Sequence, residues 1–551
     1  MRKLGVLSAV VMLSYGCEAD FSWYLGGGGS GGASSSSSSQ GSGGTGGTLI
    51  CVPGAMAPCY DGPAGTEGVG VCKAGVQTCA GDGKSWGACT GEVLPAPVDC
   101  ASGMDMHCDG MVTPCKGTVL WAKRFGGAAN QFTESIAVDG NGNVLVAGYY
   151  LGGSVDFGGG TLPSTGNDFN IFVVKLDPSG KHLWSKGFGD AQNQVGRSIA
   201  ADVMGNVLVT GYFAGSVDFG GGALTSAGGQ DVFVVKLDAS GKHLWSKGFG
   251  DAKDQAGQSI AVDPMGNAVV TGFFNGSVGF GPIALTSAGE QDIFVVKLDP
   301  SGGHLWSKGF GDAQSQVGQG VAVDAAGNVL VTGYFNGSVD FGGGLLTSVD
   351  AADVFVAKFK PDGMLSWANA YGNVSDQIAT GIAADSAGNV VVTGYFNGAI
   401  DFGGGSLVSA GAVPGPSDIF IAELTAGGTY TWAHRFGDSN DQRAAGVAVG
   451  LSGKVLITGA MTGQADFGAG PLASAGGQDI FVAKLDADQH GGCVWAKRFG
   501  DADAQWGTAI TTNAAGDVFI AGAFHGSVDF GGNLVLASAG GADVFVAKLS
   551  P

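Results

Sequence analysis

The sequence is poor in charged residues, and basic residues are the scarcest of them. Charged residues make up 13% of the chain, against about 25% in an average soluble domain. The 26 Lys and Arg are outnumbered by 47 Asp and Glu, which gives a formal net charge of -21 at pH 7. Such a charge repels phosphate backbones, and no basic stripe offsets it. We therefore expect no nucleic-acid partner.

Glutamate is nearly missing as well. Only six of the acidic residues are Glu, and the rest are Asp. Asp favours turns and caps, whereas Glu favours helix interiors. Because Gly is abundant, with 105 residues, and Val, Phe and Thr are frequent, the composition predicts an all-β protein with many turns.

Long hydrophobic runs are missing after the first 17 residues, so no later segment is expected to span a membrane. Residues 1–17 read "MRKLGVLSAVVMLSYGC", a basic start and a short apolar stretch that ends at Cys17. They resemble a bacterial lipoprotein signal, which implies lipidation of Cys17, although Ser14 stands where Leu is usual. The alternative is a plain secretory signal. We expect an exported lipoprotein of the outer membrane or cell surface, held at the membrane by its lipid anchor only, or alternatively a secreted protein.

A Gly/Ser-rich linker is predicted over 18–50 and a Cys-rich module over 51–116. An even number of cysteines in an exported, Gly-rich stretch predicts disulfide bonds. Zinc is the competing interpretation, but no C-x-x-C pair occurs. The string "CYDGPAGTEGVGVCKAGVQTCAGDGKSWGACTGEV" resembles a Cys-rich module of bacterial envelope proteins, and this resemblance implies no activity. The eight cysteines are Cys51, Cys59, Cys72, Cys79, Cys89, Cys100, Cys108 and Cys115.

The end of this module contains part of a calcium-loop pattern. "DMHCDG" resembles the opening of an EF-hand loop, with His107 at the middle acidic position. Asp105 and Asp109 could ligate Ca²⁺, but Lys116 stands where such a loop ends in Glu. A tight turn beside Cys108 is the structural interpretation. Calcium is the one cofactor that the sequence suggests.

From residue 117 to residue 551 the chain is an array of repeats. "HLWSKGFGDA" occurs three times, and each copy lies 61 residues after the last. In the third unit, strand-like runs cover 259–263, 267–274, 292–299 and 304–310. Short Gly turns predict hairpins between the first two runs and between the last two, and the longer segment between the second and third runs is expected to be a loop. One tryptophan marks each of seven units, at Trp121, Trp184, Trp245, Trp306, Trp367, Trp432 and Trp495.

Four short antiparallel strands in each of seven units predict an all-β fold, a seven-bladed β-propeller that follows the small disulfide-rich module. Repeats of the "GNVLVTGYF…DVFVVKLD" kind resemble the family of bacterial seven-bladed β-propeller repeat proteins, a family that implies no single activity. The array begins with a Trp strand and ends with "DVFVAKLSP". We therefore expect strands 118–125 and 543–549 to pair, which closes the ring and hides a sheet edge.

Glutamine recurs in every predicted crossover between units. These amides could ring one face as a ligand-binding site, or they could bond the backbone of loops that have no ladder partners. The Asp residues that recur in the loops could likewise bind Ca²⁺ or cap turns. The candidate ligand ring is Gln131, Gln194, Gln255, Gln316, Gln377, Gln442 and Gln505.

The features together favour a binding function. We expect a surface-anchored propeller that binds or displays a protein or glycan ligand and is not an enzyme. The near-identical blades show no unlike residues converging at one point, and no His has a Ser or Cys partner in a recognisable arrangement. Two alternatives stay open: a secreted hydrolase or lyase that acts on a polysaccharide at the propeller channel, and a purely structural envelope component.

Overall fold

The computed structural model describes residues 49–62, 65–69, 72–94, 117–164, 166, 168–411, 413, 415–450 and 452–551. They fall into two compact units, one within Ala19–Thr118 and the other Val119–Pro551. Among these residues no helix is long and apolar enough to cross a membrane.

The smaller unit is a disulfide-bonded module with little regular structure. Strands Met56–Cys59 and Gly75–Thr78 pair antiparallel. Disulfides join Cys51 to Cys79 and Cys59 to Cys89, with Cα atoms 5.9 and 5.7 Å apart, and Cys72 is also disulfide-bonded. The predicted disulfide module is thus confirmed for these five cysteines. Cys100, Cys108 and Cys115 lie outside the described residues.

The larger unit is a ring of seven four-stranded antiparallel sheets, as the repeats predict. In each blade the strands run in order from the axis to the rim, and we call them inner, second, third and outer. The inner strands of blades 1 to 7 are Gln131–Val138, Gln194–Ala201, Gln255–Val262, Gln316–Val323, Gln377–Ala384, Gln442–Val449 and Gln505–Thr512. The second strands are Val144–Leu151, Val207–Phe213, Ala268–Phe274, Val329–Phe335, Val390–Phe396, Lys454–Met461 and Val518–Phe524.

The third strands are Phe169–Leu176, Asp231–Leu237, Asp292–Leu298, Asp353–Phe359, Asp418–Leu424, Asp479–Asp486 and Asp543–Leu549. The outer strands of blades 1 to 6 are His182–Phe188, His243–Phe249, His304–Phe310, Leu365–Tyr371, Tyr430–Phe436 and Gly492–Phe499. The second and third strands are apolar on both faces because each blade packs against two neighbours. One core cluster, for example, joins Leu145 and Ile171 of blade 1 to Val207 and Phe233 of blade 2.

The ring closes with a strand from the N-terminal end of the array, as expected. Val119–Phe125 is the outer strand of blade 7 and pairs antiparallel with Asp543–Leu549. The indole of Trp121 also donates to the Pro178 carbonyl of blade 1 at 3.1 Å. The seventh blade is therefore built from both ends of the propeller sequence, which leaves no unpaired third strand.

The segments between second and third strands were expected to be loops, but each contains a short two-stranded hairpin, which we call the ribbon. Its phenylalanine packs beneath it: the Phe219 ring lies 4.9 Å from Phe188 and 5.0 Å from Phe233. The ribbon strands are Ser154–Asp156 with Thr161–Pro163, Ser216–Asp218 with Ala223–Thr225, Ser277–Val278 with Leu285–Thr286, Ser338–Asp340 with Leu345–Thr347, Ala399–Ile400 with Leu407–Val408, Gln464–Asp466 with Pro471–Ala473, and Ser527–Asp529 with Val535–Ala537.

The connections define two faces of the propeller. The inner–second and third–outer turns lie at one end of the strands, which we call the hairpin face. The crossovers between blades and the ends of the second strands lie at the other, the crossover face. Val119 is opposite Leu549, the last residue of its strand, so the chain enters the propeller at the hairpin face.

Buried ion pairs near the hairpin face connect neighbouring blades. Lys236 of blade 2 pairs with Asp202 at 2.9 Å and also donates to the Pro300 carbonyl of blade 3. The same carbonyl accepts from the Trp245 indole at 3.0 Å. Blade 5 differs, because Glu423 stands at the lysine position. The equivalent pairs in blades 1, 3 and 4 are Lys175–Asp139, Lys297–Asp263 and Lys358–Asp324.

Blade 6 departs from the repeat at its rim. Its third–outer turn contains a 3₁₀ helix, Ala487–Gln489. Cys493 lies in the outer strand of this blade and is 9% exposed. In blade 2 this position is His243, whose imidazole lies over Gly221 of the ribbon, whereas blade 6 has Ala469 at the glycine position.

Candidate functional site

The recurring glutamines are the first residues of the inner strands rather than crossover residues. The inner strand of blade 3 was predicted to begin at Ser259, but it begins at Gln255. Gln194 shows the common arrangement: its Oε1 accepts from the Asp190 N–H at 3.1 Å, and its Nε2 donates to Asp190 Oδ1 and to the Ala214 carbonyl. All seven side chains, Gln131, Gln194, Gln255, Gln316, Gln377, Gln442 and Gln505, are 0% exposed.

These contacts match the interpretation in which the glutamine amides bond the backbone of the crossover loops. A ligand on the crossover face would meet loop backbone before it met these amides. In blade 1, Gly127 stands at the Asp190 position, and Gln131 Nε2 has no hydrogen-bond partner. The glutamines therefore hold the crossovers in shape, and their amides are buried beneath the crossover face.

The recurring aspartates cap turns in the same way. Asp218 Oδ1 accepts from the Gly220 and Gly222 N–H groups of its ribbon at 2.7 and 3.1 Å. Asp231, at the start of a third strand, accepts from the Ala227 N–H at 3.0 Å. Among the described residues, no group of three His, Cys, Asp or Glu is arranged to hold a metal ion. The calcium candidates Asp105 and Asp109, like the lipidation candidate Cys17, lie outside the described residues.

Each inner strand contains a β-bulge, and the residue at the bulge varies among the blades. In blade 2, Gly196 is opposite Gly211 and Ser198 is opposite Thr210, which leaves Arg197 as the extra residue. Bulges re-aim a side chain and are common beside functional sites. The seven bulge residues are Glu134, Arg197, Gln258, Gln319, Thr380, Ala445 and Thr508. They vary although the glutamine three residues earlier does not.

Aromatic side chains lie beside these bulges in five consecutive blades. They stand near the crossover end of the second strand, next to the inner strand and hence near the propeller axis. Each is partly buried. We call this set, with the seven bulge residues, the axial ring. Its aromatic members are Tyr149, Tyr212, Phe273, Tyr334 and Tyr395.

The inner strands of blades 7, 1 and 2 bring further aromatic and charged groups to the axial ring. Phe132 stacks on Trp506 of blade 7, with ring centroids 6.2 Å apart, and lies 5.3 Å from Tyr149. Glu134 of blade 1 accepts from the Arg197 guanidinium of blade 2 at 3.0 Å. The two bulge residues therefore form an ion pair between adjacent blades.

The electrostatics of this region follow from its partial burial. Removal from water raises the pKa of Glu134, and the Arg197 guanidinium opposes that rise. Burial, together with the nearby Glu134 charge, raises the pKa of Tyr149 to about 12. Arg197 also lies 5.7 Å from the centre of the Tyr212 ring, a cation–π distance. The Tyr149 phenol is therefore neutral at pH 7 and lies beside the Glu134–Arg197 pair.

A second arginine contacts the axial ring from blade 6. Arg443 lies 4.7 Å from the centre of the Tyr395 ring and pairs with Asp441 at 2.9 Å. Half of its side chain is exposed. The ring thus presents aromatic faces, two arginines and neutral polar groups, arranged differently in each blade.

A polar hollow of about 660 Å³ opens on the same face above blade 3. It adjoins the axial ring through Asn275, two residues after Phe273. On its rim Ser315 donates to Glu290 at 2.6 Å. Its polar side chains are Lys253, Asp254, Asn275, Glu290, Gln291 and Ser315.

The axial ring was not predicted because no sequence motif marks a β-bulge. A signal was nevertheless present. When the seven units are aligned on the glutamine, the position three residues later carries Glu, Arg, Gln, Gln, Thr, Ala and Thr. A position that varies inside a nearly constant repeat marks side chains that the shared packing does not fix.

Comparisons with known proteins agree with the repeat. Residues 120–149 match the sequence model of the SBBP beta-propeller repeat. Over 425 residues the chain is 24% identical to the uncharacterized WD repeat-containing protein L264 of Acanthamoeba polyphaga mimivirus, covering 62% of this chain and 30% of that protein. The matched part therefore spans less than a third of that relative's length.

Solved propellers are similar at low identity. The WD40 β-propeller domain of Doa1 is 9% identical, with a TM-score of 0.39, and the similarity covers 79% of this chain and 96% of that one. The Pan2 WD40 domain of Neurospora crassa is 8% identical, with a TM-score of 0.40, covering 79% and 98%. A ring of blades that presents loops on one face supports a binding or scaffold role. The present chain is a seven-bladed propeller with a segment that matches the SBBP beta-propeller repeat.

Proposed function

We propose that this protein is an envelope-anchored propeller that binds and displays a protein or glycan ligand on its crossover face and is not an enzyme. The observation that carries the proposal is the axial ring, where seven equivalent bulges project unlike side chains beside five aromatic residues. Partly exposed aromatic and arginine side chains are the groups that most often dominate binding surfaces.

Non-catalytic binding fits the charges at the ring better than hydrolysis of a polysaccharide does. A glycoside hydrolase places two carboxyl groups on either side of the scissile bond. Glu134 is the only acid among the bulge residues, and Arg197 holds it in an ion pair. Asp441, one of two acids near Tyr395, is likewise paired with Arg443. Both carboxylates are thus committed to neighbouring arginines.

The entry point of the chain supports display. Strand Val119–Phe125 starts at the hairpin face, so the preceding segment joins the propeller at that face and not at the crossover face. The lipid anchor itself is tested with Cys17→Ser. The unaltered protein should incorporate labelled palmitate and partition into detergent, and the variant should be released in soluble form. An unaltered protein found only in the culture medium would contradict anchoring.

Binding is tested by screening the protein without residues 1–17 on protein and glycan arrays. Arg197→Ala and Trp506→Ala on the crossover face should weaken any specific signal at least tenfold. Met265→Ala is the matched control, because Met265 is 80% exposed on a hairpin-face turn. If no ligand binds, or if only the control changes binding, the proposed function is wrong and a structural envelope role is favoured instead.

A further inference from the structure

We propose that the ligand of the axial ring is an uncharged glycan chain, an inference that rests on the proposed function. A sugar ring has apolar C–H faces and an edge of hydroxyl groups. It therefore needs aromatic faces to stack on and small polar groups that both donate and accept hydrogen bonds. The axial ring supplies both kinds of group side by side.

The aromatic groups follow one another around the axis. Charges on Glu134 and Arg197 act on both Tyr149 and Tyr212, which places these two phenols around the same ion pair. Burial and then the nearby Tyr395 raise the pKa of Tyr334, which places these two phenols of blades 4 and 5 near each other. Five aromatic residues on consecutive blades match an elongated ligand that is recognised by successive similar units, as an oligosaccharide is.

The polar groups between them are neutral over most of this arc. The bulge residues Gln258 and Gln319 of blades 3 and 4 carry amides, and each amide can donate to one sugar hydroxyl and accept from another. In blade 5 the Thr380 hydroxyl donates to the Ala444 carbonyl at 2.9 Å, so it offers a ligand an acceptor only. The polar hollow above blade 3 extends this surface outward. It adds the amides of Asn275 and Gln291 and the hydroxyl of Ser315, together with the charged side chains of Lys253, Asp254 and Glu290.

The charges of the ring compensate one another, which favours an uncharged ligand. Arg197 is matched by Glu134 and Arg443 by Asp441, so neither arginine is left to recognise an acidic sugar or a phosphate. The net charge of -21 also repels polyanions in general.

The test is affinity electrophoresis of the protein, without residues 1–17, in native gels that contain dextran, xylan, mannan or a β-glucan, with alginate as the acidic comparison. We expect retardation by at least one neutral polysaccharide and none by alginate. Tyr334→Ala and Tyr395→Ala should each weaken that retardation at least tenfold, and Tyr334→Phe, which keeps the stacking face, should retain most of it.

Tyr430→Ala is the matched control. It removes a tyrosine that is 38% exposed at the rim, so it should leave retardation unchanged. Melting curves identify any variant that fails to fold, and Gln319→Ala then serves as a second, milder probe. If no neutral polysaccharide retards the protein while a protein ligand still binds the crossover face, the glycan inference is wrong and the proposed function stands. If neither class of ligand binds, both fail.

Discussion

Arg498 donates to the buried carboxylate of Asp479 at 2.6 Å in blade 6, and this pair shows what blades 2 to 4 lack. Blades 5 and 7 have the same arrangement, with Arg435 and Asp418 or Arg124 and Asp543. In blade 3 the residue equivalent to Arg498 is Gly309. Oδ1 of Asp292 has no hydrogen-bond partner, as is also true of Asp479, but Asp292 has no arginine beside it, and burial raises its pKa to about 6 from the usual 3.8.

Asp292→Asn should stabilise the propeller at neutral pH. The pKa of Asp292 is higher in the folded state than in the unfolded chain. Below about pH 4 the carboxyl is protonated in both states and does not lower the free energy of unfolding. As the pH rises from about 4 through 6, the unfolded chain ionises more readily, so the free energy of unfolding falls. Each pKa unit corresponds to about 1.4 kcal/mol, so we expect a gain of about 2 to 3 kcal/mol at pH 7.5 and none at pH 4. Urea unfolding across that range measures it.

Asp479→Asn is the control for this substitution, because it removes the partner of Arg498 rather than an uncompensated charge. It should destabilise at pH 7.5, by roughly 1 to 3 kcal/mol for a lost charged hydrogen bond. In blade 1 the residue equivalent to Asp479 is already an amide, Asn170, and the residue equivalent to Arg498 is Gly187. Equal effects of the two Asp→Asn changes would show that the arginine does not govern this site.

Glu423→Gln should also stabilise at neutral pH. Glu423 replaces the lysine of the buried ion pairs and is 4% exposed. Burial and then the charges of Asp385 and Asp488 raise its pKa, although the Trp432 indole opposes the rise. The gain of the variant should vanish as pH falls below the ordinary glutamate range. In contrast, Lys297→Gln should cost about 3 to 5 kcal/mol, because it leaves Asp263 buried without its cation.

Gly221→Ala tests the packing of the rim. A Cβ at this position would lie 2.1 Å from Cε1 of His243, so the imidazole must move and we expect a cost of about 1 to 3 kcal/mol. His243→Cys reproduces the pair that blade 6 has as Ala469 and Cys493. The double variant should therefore lose less than the sum of the two single changes, and simple additivity in thermal melts would argue against this contact.

Removing residues 118–127 should open the ring. The deletion removes the outer strand from blade 7 and exposes the edge of Asp543–Leu549. It also unburies Phe125, worth about 3 to 5 kcal/mol, and Trp121, which is only half-buried and worth less. We expect a lower melting temperature and aggregation. Removing 18–115 instead should leave the melting of the ring unchanged. A 118–127 deletion that melts like the intact ring would show that the closure strand is dispensable.

The fold was largely predictable because the same packing problem recurs seven times. The Trp period, the four runs per unit and the unmatched strands at both ends predict the blades and their closure through Val119–Phe125. The ribbons were missed because their strands have only two or three residues in a Gly-rich stretch. Such strands form only when Phe219 and its equivalents anchor them against the blade.

The site was less predictable than the fold for a physical reason. Repetition draws attention to what is constant, and the constant residues, such as Gln194 and Asp218, turned out to brace loops. The axial ring depends on the register shift that aims Glu134 and Arg197 toward each other from adjacent blades, and this contact across 63 residues of sequence has no local signal.

The most direct test of the account is hydrogen–deuterium exchange of the protein with and without the ligand found in the array screen. Binding at the axial ring should slow exchange in peptides that contain the bulges at Glu134, Arg197 and Gln319 and the second-strand ends at Tyr334 and Tyr395. Peptides of the hairpin-face turns at 139–143 and 202–206 should exchange at unchanged rates. Protection confined to those turns, with none at the bulges, would contradict a binding site on the crossover face.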